Sequence, residues 1–360
     1  MTERENFLIA YHHGKPAWMP NFYDAYAPVG ASVLNNQGDY MKGGKDMFGA
    51  KWICTKDTGW QAIPDPSYHV LDDITQWKKY IEFPDLDSMD WENAAKRDLA
   101  HVDRKEKIVA CFGMEGNFNR LQSLMGTCEA LIALLEEPEA VYEFFEAYTR
   151  FKMKTIEKIA RYYQPDIYVN GDDVCSGSGL FFSKSIYDQL IKPFEIMLGK
   201  TAVNCGLIVE HHVCGKAEAI IPDIIETGAT IWQTGQVMND LNKIKAEYGD
   251  RLLIPMADRA GVPVVVHFDH GLDRNECIRA LQLGFTSVMY DCSTAPYDEN
   301  MDRVKEMASI AHAYNATIEA ELGHVGNNDN DQDPSSYYTD PIQAKEYAEY
   351  TGIDALAIAI

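Results

Sequence analysis

The run Val262-Pro263-Val264-Val265-Val266-His267-Phe268-Asp269-His270-Gly271 and its successor Gly284-Phe285-Thr286-Ser287-Val288-Met289-Tyr290-Asp291-Cys292-Ser293 decide the fold class. Each is a short apolar strand that stops on Asp, His or Cys beside Gly or Ser. Between them, 275–283 has the amphipathic spacing of a helix, so the unit reads as β-α-β with parallel strands. Outward from this unit the same alternation recurs. Strands are expected at 108–113, 166–172, 206–214, 230–234, 251–254, 264–270, 287–291, 317–322 and 354–360. Helices are expected at 127–135, 139–163, 216–227, 238–248, 275–283, 300–314 and 341–351. Many strands end in reactive side chains: Asn170-Gly171-Asp172-Asp173, His212-Val213-Cys214, Asp269-His270, Asp291-Cys292 and Glu319-Ala320-Glu321. Reactive groups gather at C-terminal strand ends in α/β barrels, so the expected fold class is α/β with TIM-barrel-type βα units. The stretch before residue 105 is rich in aromatics, Gly and Pro and shows no clean period.

Composition narrows the partners. Apolar residues make up 46% of the 360 and charged residues 24%, the balance of a globular chain with a real core. A formal charge of −23 argues against nucleic acid and against anionic lipid, since both need a basic face. The N-terminus is polar, so no signal peptide is expected, and no apolar stretch approaches the length of a membrane span. Eight cysteines scattered through apolar runs, such as Cys111 and Cys205, suggest reduced thiols and a cytoplasmic location. The 327–338 segment reads as an exposed loop, and His312 and His324 as surface histidines.

Two constellations carry chemistry. In the first, His212 and Cys214 stand two apart on a strand and so face the same way, an arrangement that lets imidazole and thiol converge on one ion. Nitrogen plus sulfur suits Zn²⁺. Together with Gly171-Asp172-Asp173, the run from Ile186 to Phe194 and Tyr248-Gly249-Asp250-Arg251, this motif resembles the uroporphyrinogen decarboxylase superfamily over roughly residues 1–254. The decarboxylase branch has an Arg-Gln-Ala-Gly-Arg type segment near its start. Here Gly14-Lys15-Pro16-Ala17-Trp18-Met19-Pro20 stands instead, and the His-x-Cys is similar to that of the corrinoid-dependent methyltransferase branch. That resemblance implies zinc at His212 and Cys214 and a corrinoid on a partner protein. The branch takes a third ligand, a cysteine, from a late strand; Cys292 fills that role only if the geometry allows. Asp172 and Asp173 are candidates for binding substrate or metal, or form a strand-end turn that caps the next helix.

The second constellation starts at the quoted strands. With Glu319-Ala320-Glu321-Leu322-Gly323, Tyr338-Thr339-Asp340-Pro341 and Thr351-Gly352-Ile353-Asp354, the chain from Met256 onward resembles class II, zinc-dependent fructose-bisphosphate aldolase and its tagatose-bisphosphate relatives. The resemblance implies that Asp269 is the catalytic acid, that His270 is a zinc ligand, and that Asp291 and Glu321 lie around the metal as alternative or outer ligands. His267 is expected to pack or hydrogen-bond. The family's Gly-Thr-x-His-Gly and phosphate-binding segments are not reached by residue 360. About 105 residues are also too few for a barrel of about 250, so aldol cleavage is not expected from this stretch alone.

The domain reading is therefore 1–254 and 255–360, a chimera of two partial (β/α)8 barrels joined without a linker near Ile254. A hybrid barrel, an open sheet or two docked lobes all remain open. A gene fusion, a mis-assembled sequence and a deliberate chimera would each give this junction. The leading functional expectation is zinc-dependent methyl transfer to or from a small molecule. Aldol cleavage is the alternative, and a fused product without turnover is the third reading.

Overall fold

The computed structural model describes residues 1–35, 43–58, 62–233, 235–236, 238–253, 267–282, 285–314, 316–322 and 339–358. Contacts divide the chain into two compact units, Met1–Val262 and Pro263–Ile360. The expected junction at Ile254 and Pro255, the loop at 327–338 and His324 lie outside the described residues.

The first unit is built on a parallel sheet in the order β1 (Tyr26–Gly30), β2 (Ile108–Phe112), β3 (Ile167–Gly171), β4 (Ile208–His212) and β5 (Ile231–Gln233). Spatial order follows chain order, as right-handed βα units stacked side by side require. Leu253 bridges Ile231, so among the described residues of the expected 251–254 strand one is paired. Period-two alternation sorts the side chains. Val109, Cys111, Tyr168, Val209 and Trp232 pack into the helical layer. Tyr26, Ile108, Ala110, Ile167, Val169 and Ile231 share the other face with Phe7. On that face the Tyr26 hydroxyl donates to Glu210 Oε2 at 2.7 Å, across two intervening strands. Strands lie about 4.8 Å apart, so in a flat sheet β1 and β4 would be about 14 Å apart with side chains standing perpendicular. The bond closes only because the sheet curls, as in part of a barrel.

One end of this curled sheet is plugged by α1 (Glu3–Tyr11), whose first turn is closed by a Thr2–Glu5 capping box. Phe7 enters the inner core, Arg4 forks onto Asp166 at the start of β3, and the Tyr11 hydroxyl meets Thr230 at 2.9 Å. The opposite end carries the C-termini of the strands. Between β2 and β3 come α2 (Asn117–Met125), α3 (Thr127–Glu136) and α4 (Pro138–Tyr162). The last starts at Pro138, where a missing N–H costs nothing, and buries Val141, Phe144, Phe145, Tyr148, Ile156 and Ile159 along one stripe. After β3, α5 (Lys192–Asn204) covers the same layer.

Several elements departed from expectation. β1, Tyr-Ala-Pro-Val-Gly, carries a proline that a central strand would reject; it is an edge strand, where Pro28 is tolerated. α1, α2 and α5 had not been read as helices. Cys205, read within a strand-like run, instead ends α5 as its C-cap. In 216–227 a short 3₁₀ turn precedes a helix that runs only from Ile221 to Glu226.

The second unit is a parallel sheet of β6 (His267–Gly271), β7 (Ser287–Tyr290), β8 (Thr317–Leu322) and β9 (Ala355–Ile358), again in chain order. Ile318, Ala320 and Leu322 of β8 pack on α6 (Arg274–Gln282), α7 (Tyr297–Ala313) and α8 (Pro341–Thr351), with Val288, Val304, Met307 and Tyr347. Glu319 and Glu321 alternate onto the other face. α8 is closed by Asp340 at its N-cap and by Gly352, left-handed at φ 71°, at its end. Both sheets are parallel and helix-covered, which makes the chain an α/β protein of βα units. Among the described residues no helix is long and apolar enough to cross a membrane.

Candidate metal centres

The first centre forms where β3 and β4 end. His212 is the last residue of β4, and its Nδ1 is held by Gln233 Oε1 of β5 at 2.8 Å. The amide oxygen accepts a hydrogen bond from Nδ1–H, which points Nε2 toward Cys214 and Asp173. Nε2 lies 3.6 Å from Cys214 Sγ and 3.9 Å from Asp173 Oδ1. Asp173 is fixed in turn: its Oδ1 accepts the Cys214 N–H at 2.7 Å, and its own N–H donates to Asn119 Oδ1 at 2.6 Å. Gly215 follows at φ 92°, and a Cβ there would fall 2.5 Å from the Ser176 carbonyl, so the chain after Cys214 turns only with glycine. The donor atoms of Asp173, His212 and Cys214 lie within 4.8 Å of one another. Burial lowers the His212 pKa, but the bonds to Cys214 and Gln233 and the Asp173 charge outweigh it and raise the imidazole to about 9. A nitrogen, a sulfur and a carboxylate oxygen in that space fit zinc.

Asp172 does a different job from its neighbour. Both its oxygens accept N–H groups of the first turn of α2, from Phe118 and Asn119, each at 2.9 Å. It therefore clamps the helix that precedes β3 and not, as the turn reading had it, the one that follows. A Cβ on Gly116 would lie 2.1 Å from its carboxyl carbon, so that close approach needs glycine. Burial and the Glu195 charge push the Asp172 carboxyl up to about 8, against the pull of the two N–H donors and Lys152. Asp172, Asp173 and His212 all line one cavity of about 1530 Å³ over the strand ends of this unit, which Gly30, Phe112 and Gly171 also border. Trp52, Ile63 and Pro64, from a short antiparallel ribbon, form another wall.

The second centre lies at the strand ends of the other unit. The pairing of β6 with β7 shifts register between Phe268 and Gly271, and His270 there has φ 49°, which is uncommon for any residue but Gly. This bulge aims His270 Nδ1 at Asp291 Oδ2, 3.0 Å away, with Glu321 Oε2 at 3.9 Å. Ser293 holds the other Asp291 oxygen through its N–H at 3.0 Å and its hydroxyl at 2.6 Å. The hydrogen bond to Asp291 raises the His270 pKa. Asp269, His270, Asp291, Glu319 and Glu321 line a pocket of about 540 Å³. One nitrogen and two carboxylates fit a divalent ion, zinc included, with less selectivity than the sulfur-bearing set. His267 bonds Ser287 Oγ at 2.7 Å, and His312 pairs with Asp354 at 2.9 Å. Cys292 is buried in this unit's core, and burial raises its thiol pKa.

Thus His212 and Cys214 meet with Asp173 as the third donor, and His270, Asp291 and Glu321 meet with Asp269 alongside. Gln233 and Asn119 were missed. Gln233 lies within the expected 230–234 strand and could have been read; Asn119 lies on a helix whose pattern had not been seen.

Residues 204–360 match the family model described as class II fructose-bisphosphate aldolase. Among solved structures, the YdjI aldolase from Escherichia coli K12 is 30% identical over 43% of this chain and 48% of its own, with a TM-score of 0.26. A methyltransferase from Methanosarcina mazei is 13% identical over 81% of this chain and 72% of its own, with a TM-score of 0.45. A fructose-bisphosphate aldolase from Campylobacter jejuni is 18% identical over 62% of this chain and 56% of its own, with a TM-score of 0.17. The chain spans about half the length of the aldolases it matches. The aldolase match starts upstream of residue 255, within the first unit.

Proposed function

We propose that this chain is a zinc-dependent enzyme that transfers a methyl group in the cavity of its first unit, with the corrinoid carried on a partner protein. The carrying observation is that Asp173, His212 and Cys214 bring their donor atoms within 4.8 Å of one another beside that cavity. Gln233 orients the His212 ring, Asn119 and the Cys214 N–H orient Asp173, and Asp172 holds the strand end against α2. When bound, zinc supplies the positive charge that favours the thiolate form of an acceptor thiol. The chain's own part is to hold that charge at the strand tips and to shelter a small molecule next to it. All eight cysteines are free, in keeping with a reducing cytoplasm. The test is zinc content after extensive dialysis, together with demethylation of methylcobalamin in the presence of a thiol. Zinc at this centre and turnover, both lost in His212→Ala, are expected. Less than a few per cent zinc and no effect of that substitution would sink the reading.

A second reading, aldol cleavage of a sugar bisphosphate, is favoured by the aldolase match over 204–360 and by the His270, Asp291 and Glu321 cluster. Asp269 would then take the proton from the hydroxyl that becomes the aldehyde oxygen, and return it in the condensation direction. Triose phosphate release from fructose or tagatose bisphosphate, abolished by Asp269→Ala, would replace the first reading. Silence in both assays alongside cooperative unfolding would leave a folded product without turnover.

A further inference from the structure

Behind the first metal centre, a polar cluster sits in the helical layer of the first unit. In the pairing of β3 with β4, Asn170 stands beside His211 and Gly171 beside His212. Side chains alternate along a strand, so Asn170 and His211 point the same way as Tyr168 and Val209, into that layer. Both are buried, and so are Glu195 in the first turn of α5 and Lys152 on α4. Glu195 Oε2 accepts the Asn170 side-chain N–H and lies 3.9 Å from His211 Nδ1. One carboxylate oxygen therefore faces both strands. Just beyond these two contacts come the donors of the centre, Asp173 after β3 and His212 with Cys214 at the end of β4.

The cluster is costly to bury. Desolvation lowers the Lys152 pKa, and the Glu195 charge leads those that oppose it, ahead of Asp172 and Glu115. Burial likewise raises the Glu195 carboxyl, against the Lys152 charge and the Asn170 bond. Among the described residues, Lys152 Nζ, Glu195 Oε1, Asn170 Oδ1 and His211 Nδ1 make no hydrogen bond. Apolar side chains of similar volume in place of a buried ion pair are often neutral or stabilising, so packing does not account for these four groups. What the cluster supplies is direction. The Asn170–Glu195 bond anchors the end of β3 to α5, and α5 is entered through a π turn, Tyr187–Ile191, of the kind that recurs at functional sites. A zinc site tolerates deviations of only about 0.2 Å in its ligand distances, so two strand ends that share one ion have to be held in register.

We propose that Glu195 is a positioning residue for the first metal centre. It ties the ends of β3 and β4 together from behind, with Lys152 as its buried counter-charge, and so keeps Asp173 in reach of His212 and Cys214. The inference rests on reading those three donors as a metal site.

The test is titration of the full chain with Co²⁺ in place of zinc, read by the thiolate-to-metal charge-transfer band. Among the described residues only the first cluster of donors includes a cysteine, so this band reports that centre alone. Two double variants are compared with the parent. Lys152→Met with Glu195→Leu removes both charges and the tie; Lys152→Met with Glu195→Gln removes the charges and keeps an oxygen for Asn170. The Leu form is expected to bind Co²⁺ about tenfold more weakly, with an altered band and a Tm equal to or above the parent's. The Gln form should recover most of the affinity. Parent-like affinity and band in the Leu form would overturn the proposal and leave the metal centre standing. So would a Tm that falls in step with affinity, or a Gln form no better than the Leu form. A parent that gives no thiolate band with Co²⁺ would sink the metal-centre reading itself, and the proposal with it.

Discussion

His212 and His270 are both strand-end histidines, yet the residues around them hold them by different means. A hydrogen bond to the Gln233 amide oxygen fixes the His212 ring, while a bulge with φ 49° turns His270. The first device can be removed without disturbing the backbone. Gln233→Ala should therefore weaken zinc binding about 10- to 100-fold with little change in Tm, read by competition with a chromophoric chelator. Arg120 makes the opposite case. It is fully buried, bonds Asp46 and stacks 4.9 Å from the Phe48 ring, while Asp46 also takes the N–H groups of Phe48 and Ala50. Arg120→Ala leaves a buried carboxylate without its cation and should cost about 3–5 kcal/mol, measured by urea unfolding. Since Arg120 follows Asn119 on α2, the same variant should loosen Asp173.

At the scale of elements, the strands that read best carry the plainest apolar patterns. β2, β3, β4 and β7 fell where apolar runs bounded by Gly, Asp or Asn put them, and β8 where apolar and polar residues alternate. β1 hid because an edge strand tolerates Pro and Gly. α2 hid because Asn117, Arg120 and Ser123, polar by type, are buried there by hydrogen bonding, which blurs the apolar period. The start of β9 gives a prediction. Asp354 Oδ2 accepts both the Ile318 N–H and His312 Nε2 at 2.9 Å, and these bonds hold its carboxyl below the usual range against the opposing effect of burial. A depressed carboxylate stabilises above its unfolded value and loses that contribution as pH falls through the folded one. Asp354→Ala should cost about 1 kcal/mol near neutrality, reduced by solvent screening. The difference from the parent should begin to shrink below about pH 4 and disappear only as pH falls past the lowered folded value, followed by near-ultraviolet circular dichroism.

At the scale of the molecule, each unit carries its own parallel sheet and its own cluster of donors, so the two centres should load independently. We expect two zinc ions per chain by mass spectrometry of the native protein, one lost in His212→Ala and the other in His270→Ala. Loss of both ions from either variant would contradict this. The sequence by itself determined the α/β class, the parallel βα units and the two sets of His, Cys, Asp and Glu at strand ends. Those follow from period-two and helical patterning and from which residue types end the strands, all local along the chain. Only the tertiary structure decided that Asp173 joins His212 and Cys214, that Asp172 clamps a helix, and that a cavity opens beside them. These depend on how far the sheet curls and on which strand ends become neighbours. Both are set by packing between residues far apart in the chain.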